Sequence, residues 1–273
     1  MESSRRRVEE LLWIFGLSRV TAPIWEILRG GKAIRQSRRM QKFYSSLLPQ
    51  GALVFDVGAN VGTMTRVFSS LGARIVAVEP NPDCVRHIEL TTSRKAVEVL
   101  QAAVSDTNGL AVLKVSDRKD KMSSLSDEWR DAVSKQNADY VGMWNRELTV
   151  PSVTLDALIE RYGLPFYIKI DVEGHEERVI QGLSHLPPLL SFEFNRAFLD
   201  SALRALANGL FAESLFNYTL IDPCGFELPE WVGRDELCER IRKLDCDGPG
   251  LGDIFVKPDV LAGESHTLRK TEG

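Results

Sequence analysis

From residue 52 onward, short runs of consecutive apolar residues alternate with segments whose apolar positions recur at three- and four-residue spacings. "ALVFDVG", "RIVAVEP", "VEVLQAAVS", "FYIKIDVEG", "LLSFEFN", "YTLIDP" and "DIFVK" read as strands. "TMTRVFSSLG", "DCVRHIELTTSR", "HEERVIQGLSHL" and "SALRALANGLFAESL" read as helices. Gly72 closes the first helix and Pro80 stops the second strand. Strands that are apolar at consecutive positions are covered on both faces. Their alternation with helices therefore predicts an α/β fold around a mainly parallel sheet. No internal repeat or low-complexity tract interrupts it.

The rhythm breaks between the third strand and Phe166. "AVLKVSD" and "LTVPSVTLD" read as short added strands, and the stretch between them has no clean period. A long irregular connection in a compact domain is often a lid or binding loop. Trp129, Tyr140 and Trp144 argue against disorder, so residues 116–148 are a candidate substrate loop. Toward the other end, Leu11, Leu12, Phe15, Ile24, Ile27 and Leu28 recur at helical spacing on either side of Pro23. This pattern predicts two short helices packed on the main domain. Trp13 and Trp25 beside Arg5, Arg6 and Arg7 also suit a membrane surface or a partner, and that alternative stays open. The division expected is a basic helical extension over 1–48, a main domain over 49–260 and a polar tail over 261–273.

Composition narrows the function. The chain has 273 residues, 44% hydrophobic and 26% charged, enough for a full core. Its net charge of -4 and pI near 5.7 disfavour a general nucleic-acid binder. The charge is uneven, since residues 1–48 hold ten Lys/Arg against four Asp/Glu. Cys84, Cys224, Cys238 and Cys246 follow no zinc-ligand spacing and read as reduced thiols. "LLWIFGL" is too short to span a bilayer, so a cytoplasmic location without a transmembrane segment is expected.

The turn "DVGANVGT" after the first strand lies at the carboxyl edge of the sheet, where such folds bind ligands. Gly58 and Gly62 let the backbone approach a ligand closely. A dinucleotide fingerprint counted from Gly58 requires glycines where Asn60 and Thr63 stand, which weakens a nicotinamide-dependent oxidoreductase reading. Asp56 before that turn suits a ligand carrying a positive group. Glu79, 23 residues on, is placed to accept hydrogen bonds from two ribose hydroxyls, with Pro80 and Asn81 shaping an adenine slot. Ala103 to Asp106 close the third strand and reach the adenine edge. Asp106 reads equally well as an Asx turn.

"FDVGANVGTMT", "VAVEPNP", "QAAVSD", "VTLDALI" and "IKIDVEGHEERVIQGL", in order from about Leu53 to Phe194, resemble the FkbM-type methyltransferases. The last of these motifs is the most specific, "GDIFVKP" is a weaker echo, and the first 48 residues lie outside. The resemblance implies a class I methyltransferase (Rossmann-like) seven-stranded sheet with its last strand antiparallel. It also implies S-adenosylmethionine as methyl donor and a hydroxyl acceptor on a sugar or secondary metabolite. Asp56, Gly58, Asn60, Gly62 and Glu79 would line the cofactor site. A non-catalytic relative serving as a binding module is the alternative.

Asp171, Glu173 and His175 follow the fourth strand and are the candidates to orient the acceptor or take its proton. An imidazole titrates near neutrality, but His175 also reads as a solvated helix start. Lys169 reads as an ion-pair partner. Glu193, in the apolar run "LLSFEFN", requires a partner or a ligand. Asp171 and Glu193 alone are too few to assign a divalent ion, and no metal ligand is assigned.

Overall fold

The computed structural model describes residues 31–116, 123–136, 140–221, 225–244 and 250–259. The two helices expected within Val8–Leu28 and the tail 261–273 lie outside these residues. Elements run in the order α1 (Gly31–Ser45), β1 (Leu53–Val57), α2 (Thr63–Ser70), β2 (Arg74–Val78), α3 (Pro82–Thr91), β3 (Val97–Leu100), β4 (Ala103–Val104), β5 (Gly109–Ser116) and β6 (Ser123–Ser124). There follow α4 (Asp127–Gln136), β7 (Trp144–Val153), α5 (Leu155–Tyr162), β8 (Tyr167–Ile170), α6 (Glu176–Gln181), β9 (Leu189–Asn195), α7 (Leu199–Leu206), β10 (Ser214–Leu220), α8 (Arg234–Arg242) and β11 (Leu251–Pro258).

The main sheet has seven strands in the order β10-β11-β9-β8-β1-β2-β3. Strands β3, β2, β1, β8 and β9 are parallel. The final strand, β11, inserts antiparallel between β9 and β10. This is the α/β, mainly parallel arrangement expected from the sequence. The order reverses direction at β1, so β1 and its neighbours define the crevice at their carboxyl ends.

Each face of the sheet is buried. On one side Phe55, Ile170, Phe192 and Phe216 pack with Leu158, Ile180, Leu206 and Leu237 from α5, α6, α7 and α8. On the other, Val54, Ile75, Tyr167 and Phe255 meet Phe68 of α2, Ile88 of α3, and Phe43 and Tyr44 of α1. Tyr44 lies 5.1 Å from Phe68 edge-on, which makes the described part of the basic N-terminal segment a layer of this core. Local signals set the helix starts. The Asn81 side chain caps α3 by accepting from the Asp83 N–H, with Pro82 at the first turn. Thr154 caps α5 in the same way through Ala157.

Three details depart from the sequence reading. The third strand is two, because the chain leaves β3 after Leu100 and Ala103–Val104 joins a second sheet ordered β4-β7-β5-β6. The aperiodic stretch contains the helix α4, which places Trp129 in the interior. The segments read as "HEERVIQGLSHL" and "SALRALANGLFAESL" fold as the shorter α6 and α7, the latter followed by a 3-10 turn at Gly209–Phe211.

Candidate active site

A cleft of about 140 Å³ opens at the carboxyl ends of β1, β2, β8 and β9. Its lining is divided. One side, formed by the end of β2 and the segment through β4, carries Val78, Pro80, Ala102, Ala103 and Val104, with Glu79 among them. The other holds three carboxylates, Asp171, Glu173 and Glu193. Gly58 and Asn60 lie between the chain segments that carry these walls.

The glycine turn is held tightly. Gly58 has φ 78°, and a Cβ there would fall 1.7 Å from the Asp171 carbonyl oxygen. Glycine is therefore required both by conformation and by contact. Asn60 is also left-handed, at φ 48°, a region asparagine tolerates better than most residues. Its N–H donates to Glu79 Oε2 at 2.8 Å, and the Asn81 N–H donates to Glu79 Oε1 at 2.8 Å. Glu79 thus ties the tip of the β1 turn to the start of α3. Burial lifts it to about 7, against the lowering effect of the two amides.

At the acidic end, Lys169 is a buried cation. Its Nζ lies 2.8 Å from Asp171 Oδ2 and 3.8 Å from Asp253 Oδ1, the ion pair anticipated for this lysine. Burial works against its charge, but Asp171 and Asp253 outweigh it and hold the lysine well above its ordinary value. Glu173 has φ 55°, a strained setting for a glutamate that turns its side chain into the cleft. The turn is braced from outside: Ser124 Oγ donates to the Glu173 carbonyl at 2.7 Å. Trp129 also packs on Gly174, where a Cβ would sit 2.3 Å from the Trp129 Cβ. Glu176 accepts from the Val172 and Gly174 N–H groups, both at 3.1 Å. Burial, then repulsion from Asp171 and Glu176, raises Glu173 to about 8. Glu193 is raised well above the ordinary carboxylate range by burial and by Asp171 and Glu173. It also lines a much smaller adjoining cavity of about 10 Å³ with Trp129, Asn195 and Phe198.

Of the residues anticipated from the sequence, Gly58, Asn60, Glu79, Pro80, Ala103, Asp171 and Glu173 line the cleft. Asp56 does not. It is buried behind the turn, where it accepts a hydrogen bond from the Thr65 hydroxyl at 2.5 Å, and burial raises its pKa. Gly62 packs against Ile88, and Asn81 acts as a helix cap that also donates to Ser123 at 3.2 Å. His175 and Asp106 form a separate cluster outside the cleft lining. His175 Nε2 lies 2.9 Å from Ser105 Oγ, and Asp106 pairs with Arg178 at 2.8 Å. Burial drives His175 down to about 4, so it is neutral at physiological pH. Burial tends to raise Asp106, but its hydrogen bonds to Arg178 and Ser105 prevail and lower it.

Ser123, Ser124 and Leu125 of the 116–148 segment also line the cleft, though no motif marks them. Among the described residues no group of three or more His, Cys, Asp or Glu side chains is arranged to hold a metal ion. Nor is any described helix long and apolar enough to cross a membrane.

The sheet order and its carboxyl-edge cleft define an α/β domain of class I methyltransferase architecture. A family model described as the methyltransferase FkbM domain matches residues 56–197, over half of the chain, and the chain belongs to that family. A curated relative, the hexuronic acid methyltransferase AglP of Haloferax volcanii, is 26% identical over 166 residues. That match takes in 58% of this chain and 62% of the relative, so it spans about three fifths of the relative's length. Among solved structures, precorrin-6y C5,15-methyltransferase from Geobacter metallireducens aligns with a TM-score of 0.41 and 11% identity, over 84% of this chain and 89% of that one. The plantazolicin methyltransferase BpumL, solved in complex with a triazolic desmethylPZN analog and SAH, aligns at 0.40 and 10%, over 94% and 99%. Likenesses this loose carry no inference about ligand or substrate.

Proposed function

We propose that this chain is an S-adenosylmethionine-dependent methyltransferase acting on a sugar hydroxyl. The observation that carries the reading is the divided cleft. Its end at Val78, Pro80 and Ala102 suits an adenosine, with Glu79 anchoring the turn beside it. Its carboxylate end suits a cationic sulfur. The turn at Gly58 packs directly on the Asp171 backbone, which holds the segments carrying the two ends together. When bound, the cofactor supplies an electrophilic methyl group on a positively charged sulfur. Everything else falls to the protein.

Asp171, held by Lys169 at 2.8 Å, serves to orient the acceptor. Glu173 makes no side-chain hydrogen bond with any described residue and faces the cleft, so it is placed to take the acceptor's proton once ionised. General-base help of this kind is worth on the order of 10²–10⁴-fold. Trp129, Asn195 and Phe198 close off the space behind Glu193, so the acceptor's approach is from the open side of the main cleft.

A sugar acceptor is supported by the name of the Haloferax relative. Hexuronates offer both a carboxylate and hydroxyls, and the carboxylate-rich wall here repels an anion and favours a hydroxyl. The test is incubation of the full chain with methyl-labelled S-adenosylmethionine and a panel of hexuronate and neutral glycosides, followed by mild alkali. Label on the sugar that survives alkali is the expected methyl ether. Label released as methanol would place the methyl on the carboxylate, and no transfer to any glycoside would reject the sugar reading.

A further inference from the structure

The carboxylates around the cleft are not equivalent, because most already have partners. Glu79 accepts from the Asn60 and Asn81 amides, and Glu176 from those of Val172 and Gly174. Asp56 is bonded to Thr65, while Asp171 and Asp253 share Lys169. Glu173 and Glu193 are left, lining the same cavity from the turn after β8 and from β9, with no side-chain hydrogen bond to any described residue. The charges that act on them are Asp171 and Lys169 from β8 and Glu176 from the start of α6. Asp253 of β11 stands opposite Glu193 in the strand register. One buried lysine, already engaged twice, does not neutralise this wall. Two unbonded carboxyl groups in such surroundings do not both ionise unless a cation joins them.

Resting on the functional reading above, we propose that Glu173 and Glu193 act as a carboxyl pair that releases a proton to solvent when a sulfonium binds. The site thereby selects the charged methyl donor over its neutral thioether product. The same event readies the base. During transfer the acceptor's O–H proton returns to the pair as its oxygen bonds to the methyl carbon, and the electrons of the broken C–S bond remain on sulfur. The product site is then again a protonated pair beside an uncharged sulfur, which favours release. Burial and the neighbouring carboxylates make both groups weaker acids than usual, which agrees with a proton held near neutral pH in the free protein.

The experiment is calorimetric titration of the full chain with S-adenosylmethionine and, separately, S-adenosylhomocysteine, in phosphate and in Tris between pH 6 and 8. The buffer dependence of the heat counts protons. S-adenosylmethionine is expected to release close to one proton more than S-adenosylhomocysteine near pH 7. The ratio of their association constants then rises up to about tenfold per pH unit, as linkage requires. Glu193→Gln and Glu173→Gln should each flatten that slope while retaining S-adenosylhomocysteine binding. Equal proton counts and a flat ratio in the wild-type chain, with both compounds bound, would overturn this inference and leave the functional reading standing. If neither compound binds, both fall together.

Discussion

Glu79 and Glu193 stand at the carboxyl edge of one sheet, and burial raises both, yet their surroundings give them opposite tasks. Glu79 is pinned by two backbone amides and fixes the geometry of the turn between β1 and α2. Glu193, like Glu173 in the same wall, has no such anchor. A carboxylate already satisfied by the backbone shapes a site, whereas one left unbonded in a low-dielectric wall is available to a ligand's charge or proton. Burial alone does not tell the two apart; hydrogen-bond partners do.

The contrast is broken most severely at the acidic end. Glu173→Gln should lower the methyl-transfer rate by about 10²–10⁴-fold, while S-adenosylhomocysteine affinity changes less than about threefold, a split that steady-state kinetics and titration resolve. Next comes the turn that joins the two ends. Gly58→Ala forces a Cβ against the Asp171 carbonyl at a left-handed position, and should destabilise the fold by about 3 kcal/mol or more in urea titration and abolish cofactor binding.

A smaller effect follows from proton linkage. Glu79 and Glu176 are raised to about 7 and Glu173 to about 8, above their ordinary values. An acid whose folded pKa is raised binds its proton better in the folded state, so its contribution is complete at low pH and is lost as pH rises through the folded value. His175, depressed to about 4, acts in the opposite sense below its ordinary value of 6.5. The melting temperature of the ligand-free chain should therefore fall between about pH 6.5 and 8, where the carboxyl groups act alone among these four. The smallest effect is expected outside the cleft. His175→Ala removes a contact with Ser105 and should change the transfer rate by less than about twofold, with a modest loss of stability.

The parts of the site that were legible in the sequence are those fixed by strand ends. Gly58, Glu79 and Asp171 each terminate an apolar run, and once the strands are ordered as parallel neighbours their positions at one edge follow. What lies one turn further was not legible. His175 follows Glu173 by two residues, but the left-handed turn at Glu173 and Gly174 sends Glu173 into the cleft and His175 toward Ser105. A bend near Gly174 is what the sequence requires if Asp171 and Glu173 are both to face the crevice, but the spacing alone does not show that the bend turns His175 away. Asp106 was displaced for a similar reason: the chain breaks after β3 and carries Ala103–Val104 into the second sheet. Ser123 to Leu125 left no signal because their place depends on the β5–β6 pairing and on Trp129 packing against Gly174. Glu193 did leave one, as a carboxylate in an apolar strand, but its relation to Glu173 is a property of the fold.

The proposed division of the cleft puts an adenosine at the Glu79 end and a sulfonium at the Glu173 and Glu193 end. Its most direct test is parallel titration of the wild-type chain and Glu79→Ala with S-adenosylmethionine, S-adenosylhomocysteine and NAD. The account predicts binding of the two adenosyl sulfur compounds and not of NAD. It also predicts at least about a tenfold loss of affinity in the variant, since the Asn60 and Asn81 amides lose their acceptor and the turn that shapes the adenosine end loses its anchor. Binding of NAD in their place, or unchanged affinity in Glu79→Ala, would contradict it.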